Sequence, residues 1–181
     1  MNVVMIHEIT DDILKLDLSN FDIITFDDGL ATQYKFYKHF LQFNKPLYFF
    51  ISTNIVCSET DEQTFDVISC SAAHELFFEE DCTKHYMKWS QIKEIYHTEN
   101  CFIGGHSHNH FKIREMPLKM QIDVISDDNI EMMHEFQRNN IIINSFCYPY
   151  NDEILYYKHS LKKFNITNFF GKERIKIETL L

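Results

Sequence analysis

The stretch "FDIITFDDGLATQY", residues 21–34, decides how the chain reads. A β-branched apolar run ends abruptly at Asp27-Asp28-Gly29, and a helix-like pattern follows. Strand, tight turn and helix in succession form the repeating unit of a parallel α/β sheet. Two adjacent carboxylates at the end of a buried strand repel each other and lose hydration. Asp-Asp-Gly is also ordinary turn chemistry, with glycine free to take a positive φ. What lies at the ends of the other strands separates a turn from a site.

Working outward, apolar runs of strand length occur at 2–7 ("NVVMIH"), 46–52 ("PLYFFIS"), 101–104 ("CFIG"), 141–147 ("IIINSFC") and 166–170 ("ITNFF"), besides 21–26. Helical patterns separate them. Over 118–138, Leu118, Ile122, Ile125, Met132 and Phe136 keep one face apolar, and 30–43, 89–96 and 151–164 read as shorter helices. In 35–43, Phe36, Tyr37, Phe40 and Phe43 read as a core face rather than a sugar platform. The segment 54–88 is long, acidic and bears cysteines, and it reads as an insertion that acts as a lid or substrate-facing excursion. Otherwise a single domain over 1–181 is expected, without internal repeats or low-complexity tracts.

With 45% hydrophobic residues and 17 Phe, the chain carries ample material for a core. A formal charge of −10 without a Lys/Arg cluster argues against nucleic acid or anionic membrane as partner. No window offers the apolar length of a membrane span, and the N-terminus lacks the basic and apolar regions of an export signal. Five cysteines, at 57, 70, 82, 101 and 147, are an odd set without a C-x-x-C pair, so free thiols and a cytoplasmic location are expected.

Functional groups in parallel α/β folds gather at the carboxyl ends of strands. His7, Asp27-Asp28, "GGHSHNH" (104–110) and "YPYN" (148–151) all fall at such ends. Gly104 and Gly105 let the backbone approach closely just before His106. His106 and His110 are four apart, so a helical turn would present both imidazoles on one side and turn His108 away. An alternative pairs His106 with His108 on extended backbone. Two histidines and a carboxylate form a common hydrolytic metal set, and Asp28 supplies the carboxylate. Asp28 as ligand and Asp27 as general base would give each acid a distinct task. His39, His74, His85, His97 and His134 have no partner at ligand spacing and read as surface residues. The five cysteines read as small buried hydrophobes, with Cys147 near the rim.

"TFDDG" (25–29), "HSHNH" (106–110) and "FCYPYN" (146–151), in this order, resemble three motifs of the polysaccharide deacetylases, the NodB-homology domains of carbohydrate esterase family 4. "MIHEI" at the start and "MKWSQIKEI" (87–95) resemble further elements of that family. The resemblance spans residues 3 to 170. It implies a distorted (β/α) barrel of about seven parallel strands, compact or truncated, acting on N-acetylated sugars. It implies Asp27 as catalytic base and Asp28, His106 and His110 as ligands of one divalent transition metal, usually zinc, with cobalt or nickel as alternatives. Pro149 and Tyr150 match the segment that meets the substrate, with the Tyr150 N–H assisting the oxyanion.

The departures from the pattern bear on activity. An arginine that orients the base in many members is replaced by Cys147, and Asn151 stands where glycine is usual. The final Leu-x-His motif is absent, since His159 is the only later histidine and falls in a predicted surface helix. His7 is the preferred substitute acid. Two other readings remain open: a protein that keeps the metal and binds a carbohydrate or protein without turnover, and a hydrolase of another amide on the same barrel.

Overall fold

The computed structural model describes residues 1–180. Its strands are β1 (Val3–Ile6), β2 (Ile23–Phe26), β3 (Leu47–Ile51), β4 (Cys101–Gly105), β5 (Ser145–Cys147), β6 (Asn168–Phe170) and β7 (Ile175–Lys176). The helices are α1 (Ala31–Phe40), α2 (Cys70–Glu80), α3 (Trp89–Tyr96), α4 (Leu118–Arg138) and α5 (Leu155–Leu161), supplemented by short 3-10 turns. All strand pairings are parallel, in the order β6-β5-β4-β3-β2-β1-β7. This is the cyclic order of a (β/α) barrel with a seam between β6 and β7, so the expected distorted barrel is the fold. β7 was not among the runs read from sequence, because two residues that are both exposed carry no periodicity.

The central strands are continuous apolar runs because both faces are covered. Val4, Ile6, Ile24, Phe26, Leu47 and Phe49 have no exposed surface. Phe26 stacks on Phe49 at 4.6 Å and meets Phe40 of α1 edge-on at 5.0 Å. Each such ring contributes roughly 1.5–3 kcal/mol on burial. Thr25 lies in the same run without cost because its hydroxyl donates to the Val4 carbonyl at 2.9 Å. In α1, Tyr37 and Phe40 are buried and Phe36 packs against them, as the spacing predicts.

Gly104 and Gly105 permit close packing around the end of β4. A Cβ at Gly104 would lie 2.6 Å from the Phe50 ring and from Ser145 Oγ, and one at Gly105 2.5 Å from Met132 Sδ. Helix α4 spans the predicted residues, but its apolar face is shorter than expected. Ile125, Met132 and Phe136 are buried, whereas Leu118 is 77% and Ile122 48% exposed. Its packing against the core begins at Val124 and Ile125, so the exposed Leu118 and Ile122 keep the period without a covering surface. Among the described residues, no helix is long and apolar enough to cross a membrane.

Segment 54–88 folds back onto the residues that follow the aspartates. Ala31 N–H donates to the His85 carbonyl at 2.7 Å, and Met87 N–H donates to that of Gly29 at 2.8 Å. Helix α2 starts at a Ser69 cap that accepts from Ala72 N–H. Its Ala73 and Phe77 pack with Leu30, Ile55 and Tyr86 in a small separate core. This packing aims the start of α2 at the ends of β1 and β2.

Candidate metal centre

Asp27 and Asp28 follow β2 directly, and both are buried, at 2% exposure. Asp28 takes a positive φ of 73° and Gly29 one of 77°, which turns the chain from β2 into α1. Gln33 of α1 ties this turn to the end of β1, donating to the carbonyls of Asp27 at 2.5 Å and His7 at 2.9 Å.

His106 follows β4, and its loop is not the helical turn expected from the spacing. Ser107 and His110 have positive φ, and His110 N–H donates to Ser107 Oγ at 3.0 Å. Asp128 of α4 accepts from the N–H groups of His108 and Asn109 at 2.7 and 2.9 Å, which pins the loop. The tight loop still brings both imidazoles together, while His108 turns away to Thr53 Oγ1 at 2.8 Å.

Three donor atoms converge. Asp28 Oδ1 lies 3.2 Å from His106 Nε2 and 3.1 Å from His110 Nε2, and the two nitrogens are 3.2 Å apart. His106 Nδ1 lies 2.9 Å from the Cys147 carbonyl, which can only accept, so Nδ1 carries the proton. In the neutral ring Nε2 then offers a lone pair to the cluster. Among the described residues, Asp28 Oδ1 and His110 Nδ1 have no hydrogen-bond partner. A proton or a cation must separate the converging lone pairs.

The electrostatics agree. Burial opposes ionisation of Asp28, but His110 and His106 outweigh it and hold the carboxyl well below its usual range. Burial opposes a proton on His106 as well, yet the Cys147 sulfur and Asp28 raise its pKa well above the ordinary value. For His110 burial prevails and keeps the ring neutral, as a ligand must be. Edges of 3.1–3.2 Å suit a cation held at about 2.0–2.1 Å from nitrogen and oxygen. The three residues fit a divalent metal.

Asp27 faces a partner that sequence reasoning missed. Arg174, in the turn between β6 and β7, donates from Nη1 to Asp27 Oδ1 at 2.7 Å and from Nη2 to Oδ2 at 2.8 Å. The same guanidinium reaches Thr25, Asn151, the Gly171 carbonyl and Cys147 Sγ, the last at 2.9 Å. Cys147 thus leaves room for an arginine that arrives from the barrel seam instead of from β5. Burial pushes Asp27 up, but Arg174 with His106 and His7 outweighs it and leaves the carboxyl below its ordinary value.

His7, at the end of β1, places Nε2 4.0 Å from Asp27 Oδ2 and 3.9 Å from Asp28 Oδ2, with its side chain 24% exposed. Tyr150, beyond Pro149, has a positive φ of 56° and sets its ring 4.6 Å from that of His110. His159 is exposed on α5, as read from sequence.

Two histidines expected at the surface are buried instead. His85 lies in the chain reversal that pairs with Ala31, and His74 lies at the centre itself. The His74 ring stacks on His110 at 4.2 Å, its Nε2 has no partner, and burial pushes its pKa down to about 4. Cys70, one helical turn earlier, donates to Asp28 Oδ2 at 2.7 Å. It is half-buried, as is Cys82, while Cys57 and Cys101 are buried as expected. Cys147 ends β5 near the rim, as read from sequence, with Sγ 3.4 Å from Asp27 Oδ2 and no exposed surface. The four-residue spacing of Cys70 and His74 on one helix face was a readable signal.

Solved structures with the same fold include proteins described as a de-N-acetylase and a deacetylase domain. A de-N-acetylase from Aggregatibacter actinomycetemcomitans aligns with a TM-score of 0.67 at 13% identity, covering 97% of this chain and 92% of that one. IcaB from Ammonifex degensii aligns at 0.61 with 16% identity over 87% and 68%. The BpsB deacetylase domain from Bordetella bronchiseptica aligns at 0.59 with 14% identity over 85% and 69%. The chain has the fold of these three proteins. No family model and no curated protein matches the sequence. At such identities the shared property is the barrel, and the chemistry must be argued from the side chains above.

Proposed function

We propose that the protein is a metal-dependent hydrolase that removes acetyl groups from an N-acetylated sugar or glycan precursor. The observation that carries this reading is the convergence of Asp28 Oδ1, His106 Nε2 and His110 Nε2 beside the clamped carboxylate of Asp27. Zinc suits the donor set best. A divalent cation held there supplies Lewis acidity and a water of lowered pKa.

Asp27 then accepts a proton. Arg174 keeps it ionised and fixes its orientation, which matters more for a base than high intrinsic basicity. His7, facing both carboxylates and solvent, carries a proton to the leaving amine in the role of the absent terminal motif. Pro149 and Tyr150 form the rim against the acetyl group, and the Tyr150 N–H assists the developing oxyanion. With all five cysteines free, a reducing compartment and hence the cytoplasm is the proposed location.

Metal content of the purified parent, His106→Ala and Asp28→Ala, followed by acetate release from N-acetylated sugars, tests the proposal. Near-stoichiometric metal lost in both variants, with acetate release by the parent, supports it. Bound metal without acetate release from any N-acetylated sugar would favour a carbohydrate-binding protein instead.

A further inference from the structure

The cluster at the centre uses only one oxygen of Asp28. Oδ1 faces His106 and His110, whereas Oδ2 faces Cys70 Sγ at 2.7 Å and His7 Nε2 at 3.9 Å. His7 Nε2, a carboxylate oxygen of Asp28 and Cys70 Sγ all lie within 4.8 Å of one another. From this geometry we propose a second cation position between His7, Asp28 and Cys70, with Asp28 bridging the two ions through its opposite oxygens.

The donor chemistry suits zinc or cobalt. Metal bonds of about 2.0–2.1 Å to nitrogen and oxygen and about 2.3 Å to sulfur give tetrahedral donor separations of roughly 3.3–3.6 Å. The 2.7 and 3.9 Å separations flank that range and the third, between His7 and Cys70, is at most 4.8 Å, so side-chain shifts of about 1 Å bring the set together.

The surroundings hold the donors in place. Cys70 N–H donates to Glu8 Oε1 at 2.6 Å, which fixes the start of α2 beside Asp28, while burial and the Asp28 and Glu8 carboxylates keep the thiol protonated until a cation displaces the proton. The donors line a cavity of about 140 Å³ that they share with His106 and His110. His74, 7% exposed and with an unpartnered Nε2 at 3.7 Å from Asp28 Oδ1, closes its α2 side. Asp27 cannot substitute for Asp28 here, because Arg174 engages both its oxygens.

Loading the position breaks the Cys70 S–H bond and forms a sulfur–metal bond, with the proton released to solvent. It also removes His7 from proton transfer. If the deacetylase reading holds, activity therefore peaks near one equivalent of metal and declines as the second binds. The site itself does not depend on that reading.

The test is a titration of chelator-treated protein with cobalt(II), following stoichiometry by equilibrium dialysis and thiolate-to-cobalt charge transfer by near-ultraviolet absorption. The parent should bind two equivalents, with the charge-transfer band growing only with the second. Cys70→Ser should bind one tightly and show no band. One equivalent without a band in the parent would overturn the second position while leaving the primary centre intact. One equivalent with a band would overturn it too, by making the thiol a ligand of the primary ion. No binding would sink both the second position and the metal-dependent reading. Because the parent decides each case, the test survives misfolding of the variant.

Discussion

Arg174 shows how a single side chain can settle a site that its sequence neighbours leave incomplete. Its side chain is 1% exposed and spans from the barrel seam to Asp27, a partner 147 positions away. Removing one member of a buried pair leaves an uncompensated charge and costs about 3–5 kcal/mol. Arg174→Met should therefore destabilise the protein by about that amount near neutral pH. The sign of the pH dependence follows from Asp27. Its folded pKa lies below the unfolded value of about 4, so its stabilisation is complete above that pH and fades as pH falls through the folded value. In the variant burial is no longer opposed by the guanidinium, the folded pKa rises, and stability falls as pH climbs past about 4. Urea melts in chelator should show the gap between parent and variant narrowing from pH 7 towards pH 4. A gap independent of pH would show that the pair does not act by charge compensation. On the proposed deacetylase reading, Asp27→Asn should lower kcat by about 10²–10⁴-fold while metal content is unchanged. Loss of metal in that variant would make Asp27 a ligand rather than a base. Asp27, Asp28, His106 and His110 were legible because each sits at a strand end in a recognisable motif. Arg174 was not, because its partner is brought near only by closure of the barrel.

Among the elements, β4 and α2 shape the centre in opposite ways. β4 ends in two glycines whose missing side chains are occupied by Phe50, Ser145 and Met132. Gly104→Ala should cost about 1–3 kcal/mol by overpacking, read by denaturant melts, since a central strand cannot move aside. An unchanged midpoint would mean the Phe50 ring gives way freely. Helix α2, by contrast, is anchored by a small cluster apart from the main core. Phe77→Ala should cost about 3 kcal/mol at most and act locally, exposing 64–85 to protease while β1–β4 stay protected from hydrogen exchange. Global unfolding in place of local cleavage would show that α2 is part of the main cooperative unit. The helix boundaries at 89–96 and 118–138 were readable from amphipathic period, and the exposed start of α4 was not, because periodicity reports a face but not what covers it. The ten-residue-scale pattern of α2 was obscured by acidic residues on both its flanks, so only its role as an excursion towards the site could be read.

Taken whole, the barrel brings to one rim groups from the ends of β1, β2, β4 and β5, from α2, and from the β6–β7 turn. No local fragment contains the candidate metal triad, because Asp28 and His106 follow different strands, β2 and β4, which are joined through β3. A cation that binds there consequently selects the folded state as a unit and stabilises it by mass action. At a free zinc concentration about 100 times Kd the gain is about 2.7 kcal/mol. In a chain of this size each kcal/mol moves Tm by about 2–4 °C, so zinc should raise Tm by about 5–11 °C over the chelated protein. Asp28→Ala should abolish that shift even though the variant retains both histidines, since the remaining pair lacks the anionic ligand. Scanning calorimetry with and without zinc distinguishes the cases. A full shift in Asp28→Ala would place the stabilising ion elsewhere on the molecule, and no shift in the parent would mean that the converging lone pairs are relieved by a proton alone.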